Sequence, residues 1–151
     1  MPKVTPFLWY DTQAEEAARL YVSLFANSRV TQVTPGPGGR ATTVSFELDG
    51  VAFTALNGGP MYKFTEAFSM SVACKDQAEV DRLWDALIAD GGEPSQCGWL
   101  KDRFGLSWQI VPTALPRLLA DPDRAKAGRV MQAMLKMRKL DVAVLEAAAA
   151  S

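Results

Sequence analysis

With 151 residues and a formal net charge of −1, the chain suits one domain large enough to bury a real core, and its charge balance argues against nucleic acid or an anionic membrane surface as partners. No apolar run approaches the roughly 20 residues of a membrane helix, and the opening Met1-Pro-Lys-Val4 does not read as a signal peptide. The chain has no histidine, which removes the commonest metal ligand and the commonest general base together. Cys74 and Cys97 make no disulfide framework; they read as small hydrophobes in a reducing cytoplasm, the expected location.

In chain order, Val4 to Tyr10 reads as a short strand with Thr5, Phe7 and Trp9 on one face, and Pro6 marks an edge or a beginning. Thr12 with Glu15 predicts a capping box that opens a helix with an apolar stripe of Ala14, Ala17, Ala18, Tyr21, Leu24 and Phe25. A strand from Arg29 to Thr34 follows. Pro35-Gly-Pro-Gly-Gly-Arg40 lacks the Lys and Ser/Thr of a phosphate-cradling loop and reads as a hairpin connection. Thr42 to Leu48 and Val51 to Asn57 then flank Asp49-Gly50, a two-residue turn that pairs Leu48 with Val51, Phe46 with Phe53 and Ser45 with Thr54. One face of this hairpin (Val44, Phe46, Leu48, Val51, Phe53, Ala55) is apolar and should pack on helices. The other (Thr43, Ser45, Glu47, Ala52, Thr54, Leu56) is mixed, suited to solvent or to a cavity. Met61 to Ala67 reads as a linker.

The pattern then starts again. Phe68 to Cys74 is a strand with Met70 and Val72 on one face and Ser69 and Ser71 on the other. Asp76 with Glu79 predicts a second capping box, Val80, Leu83, Trp84, Leu87 and Ile88 a second helical stripe, and Gly91-Gly92 its stop. The two helix starts resemble each other, so strand, helix and closing hairpin make a two-module repeat. In the last hairpin a strand ends near Asp102, Gly105 closes the turn, and Leu106 to Val111 alternates. Trp108 and Ile110 face one way; Ser107, Gln109 and Val111 face the other. Gln109 either satisfies local hydrogen bonds in a core or looks into a pocket. Beyond it come a short helix from Leu115 to Ala120, a longer one from Asp121-Pro122 to about Leu140, and a third from Asp141 into the alanine tail. Val130, Met131, Met134 and Met137 form a Met-rich stripe opposite Lys126, Arg129, Lys136 and Arg138, which reads more often as core than as a partner site. An added amphipathic helix still needs a surface to cover, so a homodimer with this helix across or beside the partner is expected.

Thr5-Pro-Phe-Leu-Trp-Tyr-Asp11, Gln13-Ala-Glu-Glu-Ala17, Phe46-Glu-Leu-Asp-Gly50, Ala55-Leu-Asn-Gly-Gly-Pro60, Gln96-Cys-Gly-Trp-Leu-Lys-Asp102 and Phe104-Gly-Leu-Ser-Trp-Gln-Ile-Val-Pro112 together resemble the PhnB-like, demethylubiquinone 3-methyltransferase-like branch of the vicinal oxygen chelate (glyoxalase-like) superfamily. The resemblance implies an α+β fold, residues 1–151 as a single glyoxalase-like domain. Two βαβββ modules, at about 3–60 and 67–112, would form a cup, with a helical extension at 113–151. In the superfamily's metal enzymes four inward side chains from the first and last strands of each module hold a divalent ion. Carried over by position, these are Thr5, Thr54 (or Leu56, the register leaving both open), Ser69 and Gln109. One amide and three hydroxyls give no anionic anchor, so no metal and no cofactor is expected. Nor does a Gly-rich strand-to-helix turn for S-adenosylmethionine occur. The expectation is a small-molecule pocket walled by Phe7 and Trp9, with Thr5, Glu47, Thr54, Ser69, Ser71 and Gln109 as its polar groups. The alternatives are a metal-dependent lyase or isomerase, the methyl transfer to a demethylubiquinone-like substrate in the family name, or a dimeric interaction protein with a vestigial pocket.

Overall fold

A proline cannot donate to a β-ladder, and the first strand, β1, runs only over Phe7–Tyr10, leaving Val4 and Thr5 outside it. The structure, a computed structural model, describes residues 3–151. The chain divides into two compact units, Met1–Phe64 and Thr65–Ser151.

In the first unit, β1 is followed by α1 (Ala14–Leu24), β2 (Arg29–Pro35), β3 (Ala41–Leu48) and β4 (Val51–Asn57), a βαβββ module with strand order β1-β4-β3-β2. The β1–β4 pair is parallel and the others antiparallel. The β3–β4 hairpin has the expected register, Leu48 against Val51 and Phe46 against Phe53. Its turn residues Asp49 and Gly50 have φ of 49° and 80°, the left-handed pair that such a two-residue loop demands. The apolar face of the sheet is buried with Ala14, Ala17, Ala18 and Tyr21 of α1. Val51, at the hairpin tip, departs from the expected pattern and is 53% exposed. The Thr12 cap is also corrected. Gln13 occupies the N-cap without a side-chain bond, and the amide of Ala14 donates instead to Asn57 Oδ1 at 2.8 Å. Asn57, at the end of β4, reaches the helix start from another strand.

The second unit repeats the order with β5 (Ser69–Cys74), α2 (Gln77–Ile88), β6 (Glu93–Pro94), β7 (Trp99–Lys101) and β8 (Ser107–Pro112), arranged β5-β8-β7-β6 with β5 parallel to β8. Strand β6, two residues long and half proline, carries no alternation by which the sequence could announce it. Here the capping prediction holds at its centre: the amide of Glu79 donates to Asp76 Oδ1 at 2.9 Å, and Glu79 Oε1 accepts from the amide of Lys75 at 2.9 Å. Val80, Leu83, Trp84 and Leu87 are buried, as are Leu100, Trp108 and Ile110 of the sheet.

The extension has three helices, α3 (Ala114–Leu119), α4 (Arg124–Leu135) and α5 (Val142–Ala150). Helix α4 is shorter at both ends than expected, because Asp123 caps it and the chain then leaves the helix to bind the loop before β7. There the amides of Cys97 and Gly98 donate to the carbonyls of Met137 and Arg138 at 2.8 and 2.7 Å. Gly98 is needed at this crossing. Its φ is +86°, and a Cβ would stand 2.9 Å from Leu140 Cδ1. Gln77 of α2 fastens the same segment, donating to Leu140 O at 3.0 Å and accepting from the amide of Val142 at 2.8 Å. Leu115, Leu118, Val130, Leu140 and Leu145 form a core with Met134 and Met137 packed against it. Most of the Met-rich stripe is therefore interior to the extension, and Met131 alone of its methionines is exposed. Arg129, expected on the polar side, donates to the carbonyls of Ala148 and Ala149 at 3.0 Å each, where a cation suits the end of α5.

Candidate functional site

In the first module, alternation along β1 buries Leu8 and Tyr10 on the α1 side and leaves Phe7 and Trp9 on the opposite face. The β1–β4 register sets Phe7 beside Thr54 and Trp9 beside Leu56, so both candidates, Thr54 and Leu56, lie on that face. Thr5 precedes the strand and is exposed. Trp9 is held firmly: its Nε1 donates to Gly59 O at 2.9 Å, and the Tyr62 ring meets it edge-on at 4.8 Å. Gly58 is there because a Cβ would come within 2.4 Å of the Trp9 ring. Glu47 shares the face on β3, and Arg29 Nη2 lies 3.5 Å from its carboxylate.

In the second module, Ser69, Ser71 and Gln109 lie together. The parallel register sets Ser71 beside Gln109, and Gln109 Nε2 donates to Ser69 Oγ at 2.9 Å. The glutamine is thus neither a core amide nor a free group. It is half-buried and shares its hydrogen-bonding capacity with a hydroxyl two strand positions away from its register partner.

These residues do not fit a divalent ion. Thr5, Thr54, Ser69 and Gln109 are neutral donors, two of them bonded to each other, while the carboxylate of Glu47 is matched with Arg29. Zinc takes imidazole, thiolate or carboxylate, and hard cations take several oxygens with carboxylate charge among them. Among the described residues no three His, Cys, Asp or Glu side chains cluster as a metal site would require. The turns from β1 to α1 (Asp11-Thr12-Gln13) and from β5 to α2 (Lys75-Asp76) contain no glycine, so neither fits S-adenosylmethionine in the manner of a Gly-rich strand-to-helix cradle.

The motif that ends the last hairpin has a different job. Asp102 is 2% exposed; its Oδ1 accepts from the amides of Phe104 and Leu106 at 2.9 and 3.0 Å, and its Oδ2 from Trp108 Nε1 at 2.9 Å. A buried carboxylate with three donors closes the turn and pins the indole under the sheet. The sequence displayed the residues but not this arrangement. Cys74 is fully buried, and burial pushes its thiol up to about 11. Cys97 is half-buried with φ of 58°.

Each module carries a cleft that the sequence did not indicate. One of about 340 Å³ in the first module is bordered by Asp11, Thr12, Arg40, Thr42, Asn57 and Gly58. One of about 160 Å³ in the second is bordered by Glu66, Glu93, Trp99, Lys101 and Ser107 among others. The residues expected to form the pocket line neither of them.

Residues 2–111 match the family described as 3-demethylubiquinone-9 3-methyltransferase. Among solved structures, a Bacillus cereus PhnB protein assigned to the 3-demethylubiquinone-9 3-methyltransferases is 28% identical, with a TM-score of 0.70 over 74% of this chain and 100% of its own. A Pseudomonas aeruginosa protein is 20% identical at a TM-score of 0.61, over 74% of this chain and 98% of its own. A glyoxalase-related enzyme of Fulvimarina pelagi is 13% identical at a TM-score of 0.51, over 76% of this chain and 91% of its own. These last two share the fold alone. No curated protein matches the sequence.

Proposed function

The chain belongs to the 3-demethylubiquinone-9 3-methyltransferase family, with a glyoxalase-like fold, and on that premise we propose that it binds a small molecule on the polar sheet faces without a tightly held divalent ion. The observation that carries this reading is the Gln109–Ser69 hydrogen bond. It replaces charge with a paired amide and hydroxyl, which can meet a neutral ligand's donors and acceptors but give a metal no anionic anchor. On that same sheet face of the second module Ser71 adds a further hydroxyl. The first module's face by itself carries Phe7 and Trp9 as apolar wall, with Thr54 and Glu47 as polar groups and Thr5 just before the strand. A few placed polar groups on apolar walls are what small-molecule sites are made of. A thermal-shift screen with metabolites, quinone-like compounds included, tests it. The expected result is a ligand whose stabilisation is lost in Gln109→Leu; a screen without ligands, or a ligand indifferent to that change, would refute it.

A second reading, methyl transfer to a demethylubiquinone-like acceptor, is favoured by the family description and by that of the Bacillus cereus relative. Stabilisation by S-adenosylmethionine in the same screen would support it over the first. A cytoplasmic homodimer is part of the proposal. Met131 and Leu135 on α4 and Val144 on α5 are exposed apolar side chains that a second copy could cover. Light scattering at micromolar concentration checks this, and a strict monomer would end it.

A further inference from the structure

The smaller cleft, in the second module, has features that the residues above do not explain. Ser107 stands in its wall and is 1% exposed. Its Oγ is, among the described residues, the one buried side-chain polar atom with no hydrogen-bond partner. Folded proteins leave few such groups, because an unpaired buried hydroxyl loses water and gains nothing in return. The β7–β8 register sets Lys101 beside Ser107 and Trp99 beside Gln109, so Trp99, Lys101, Ser107 and Gln109 share one face of this sheet.

The cleft's charge and size narrow what could enter. Lys101 Nζ lies 3.1 Å from Glu66 Oε1, and its hydrogen bond and charge hold that carboxyl below the usual range. Glu93 brings a second carboxylate to the cleft. One cation against two carboxylates disfavours an anion, and the pairing of Lys101 removes its call for one. A volume of about 160 Å³ is close to the roughly 150 Å³ that admits a single benzene ring. Half-buried Trp99 gives a flat wall, which favours a planar ring over an aliphatic chain.

We infer that this cleft binds a neutral single-ring alcohol of the phenol type, its ring against Trp99 and its hydroxyl paired with Ser107 Oγ. The inference uses none of the pocket residues proposed above, so it stands or falls separately from that reading. A phenol keeps its proton at pH 7, as tyrosine does, and its hydroxyl can either donate to the serine or accept from it.

Two-dimensional proton–nitrogen NMR with phenol as the probe tests this on the full chain. Saturable shifts are expected at the Trp99 indole and the Ser107 amide. Ser107→Ala should weaken phenol roughly tenfold, the worth of one hydrogen bond, and leave toluene binding unchanged. The variant should fold normally, because the hydroxyl it removes has no partner in the fold. Benzoate should bind more weakly than phenol, and Glu93→Gln should narrow that gap. Absence of a saturable shift at Trp99 into the millimolar range would overturn the inference. So would equal phenol affinity in Ser107→Ala, which would mean that the serine meets only trapped water, or benzoate binding as well as phenol.

Discussion

Helix α1 is held at its start by a residue from another strand: Asn57 of β4 accepts from the amide of Ala14 and donates to Ala41 O, both at 2.8 Å. Helix α2 is held by its own first turn, through Asp76 and Glu79. The sheets differ in the same way. In the first module an indole on the polar face, Trp9, is tied to the backbone of Gly59, whereas in the second an indole on the core face, Trp108, is tied to a buried carboxylate. Two modules of one element order can therefore solve the same local problem, an unsatisfied helix end or an indole N–H, with different partners. What repeats is the topology, not the fastening.

The largest test of that contrast is Asp102→Ala. It leaves two amides and the Trp108 indole without their acceptor in a buried turn, and should cost about 3–4 kcal/mol by urea unfolding. Trp9→Phe, its counterpart in the first module, should cost only ~1–2 kcal/mol, and equal costs would erase the distinction. Alkaline pH should also act on the second module through Cys74, which ends β5 as Tyr10 ends β1. The folded thiol sits at about 11, against an ordinary value of 9.0. The unfolded chain therefore releases its proton first, and stability falls between these two values as pH rises, by up to roughly 2.5 kcal/mol. Cys74→Ala should lack that component, and a wild type with the same pH slope as the variant would contradict it. Among the helix starts, Asn57→Ala should cost about 2 kcal/mol for its two bonds, Asp76→Ala about 1 kcal/mol, and Thr12→Ala less than about 0.5 kcal/mol. A Thr12→Ala loss as large as that of Asp76→Ala would restore the symmetric capping that the sequence suggests.

The register of the β3–β4 hairpin was legible because alternation and the Asp49-Gly50 turn are local signals. The repeat likewise showed in the two helix starts. The first cap was misread because Thr12 and Glu15 satisfy the pattern while Asn57, far along the chain, supplies the bond. The end of α4 was misread for a similar reason: Met137 and Arg138 give their carbonyls to Cys97 and Gly98, a contact no helical periodicity encodes. At the candidate site, side-chain direction followed from alternation, so the Thr54 and Gln109 faces could be read in advance. The pairing of Gln109 with Ser69 depends on β5 lying parallel to β8, and the isolation of Ser107 Oγ depends on what surrounds it. Asp102 looked like part of a family signature; only the closed turn shows that its carboxylate is structural.

The claim that these sheet faces serve a ligand and not an ion is tested most directly by calorimetric titration of the protein with zinc, nickel and manganese. Neutral donors at Thr5, Thr54, Ser69 and Gln109 predict no stoichiometric binding tighter than roughly micromolar. One tightly bound ion per chain, lost on Gln109→Ala, would contradict it.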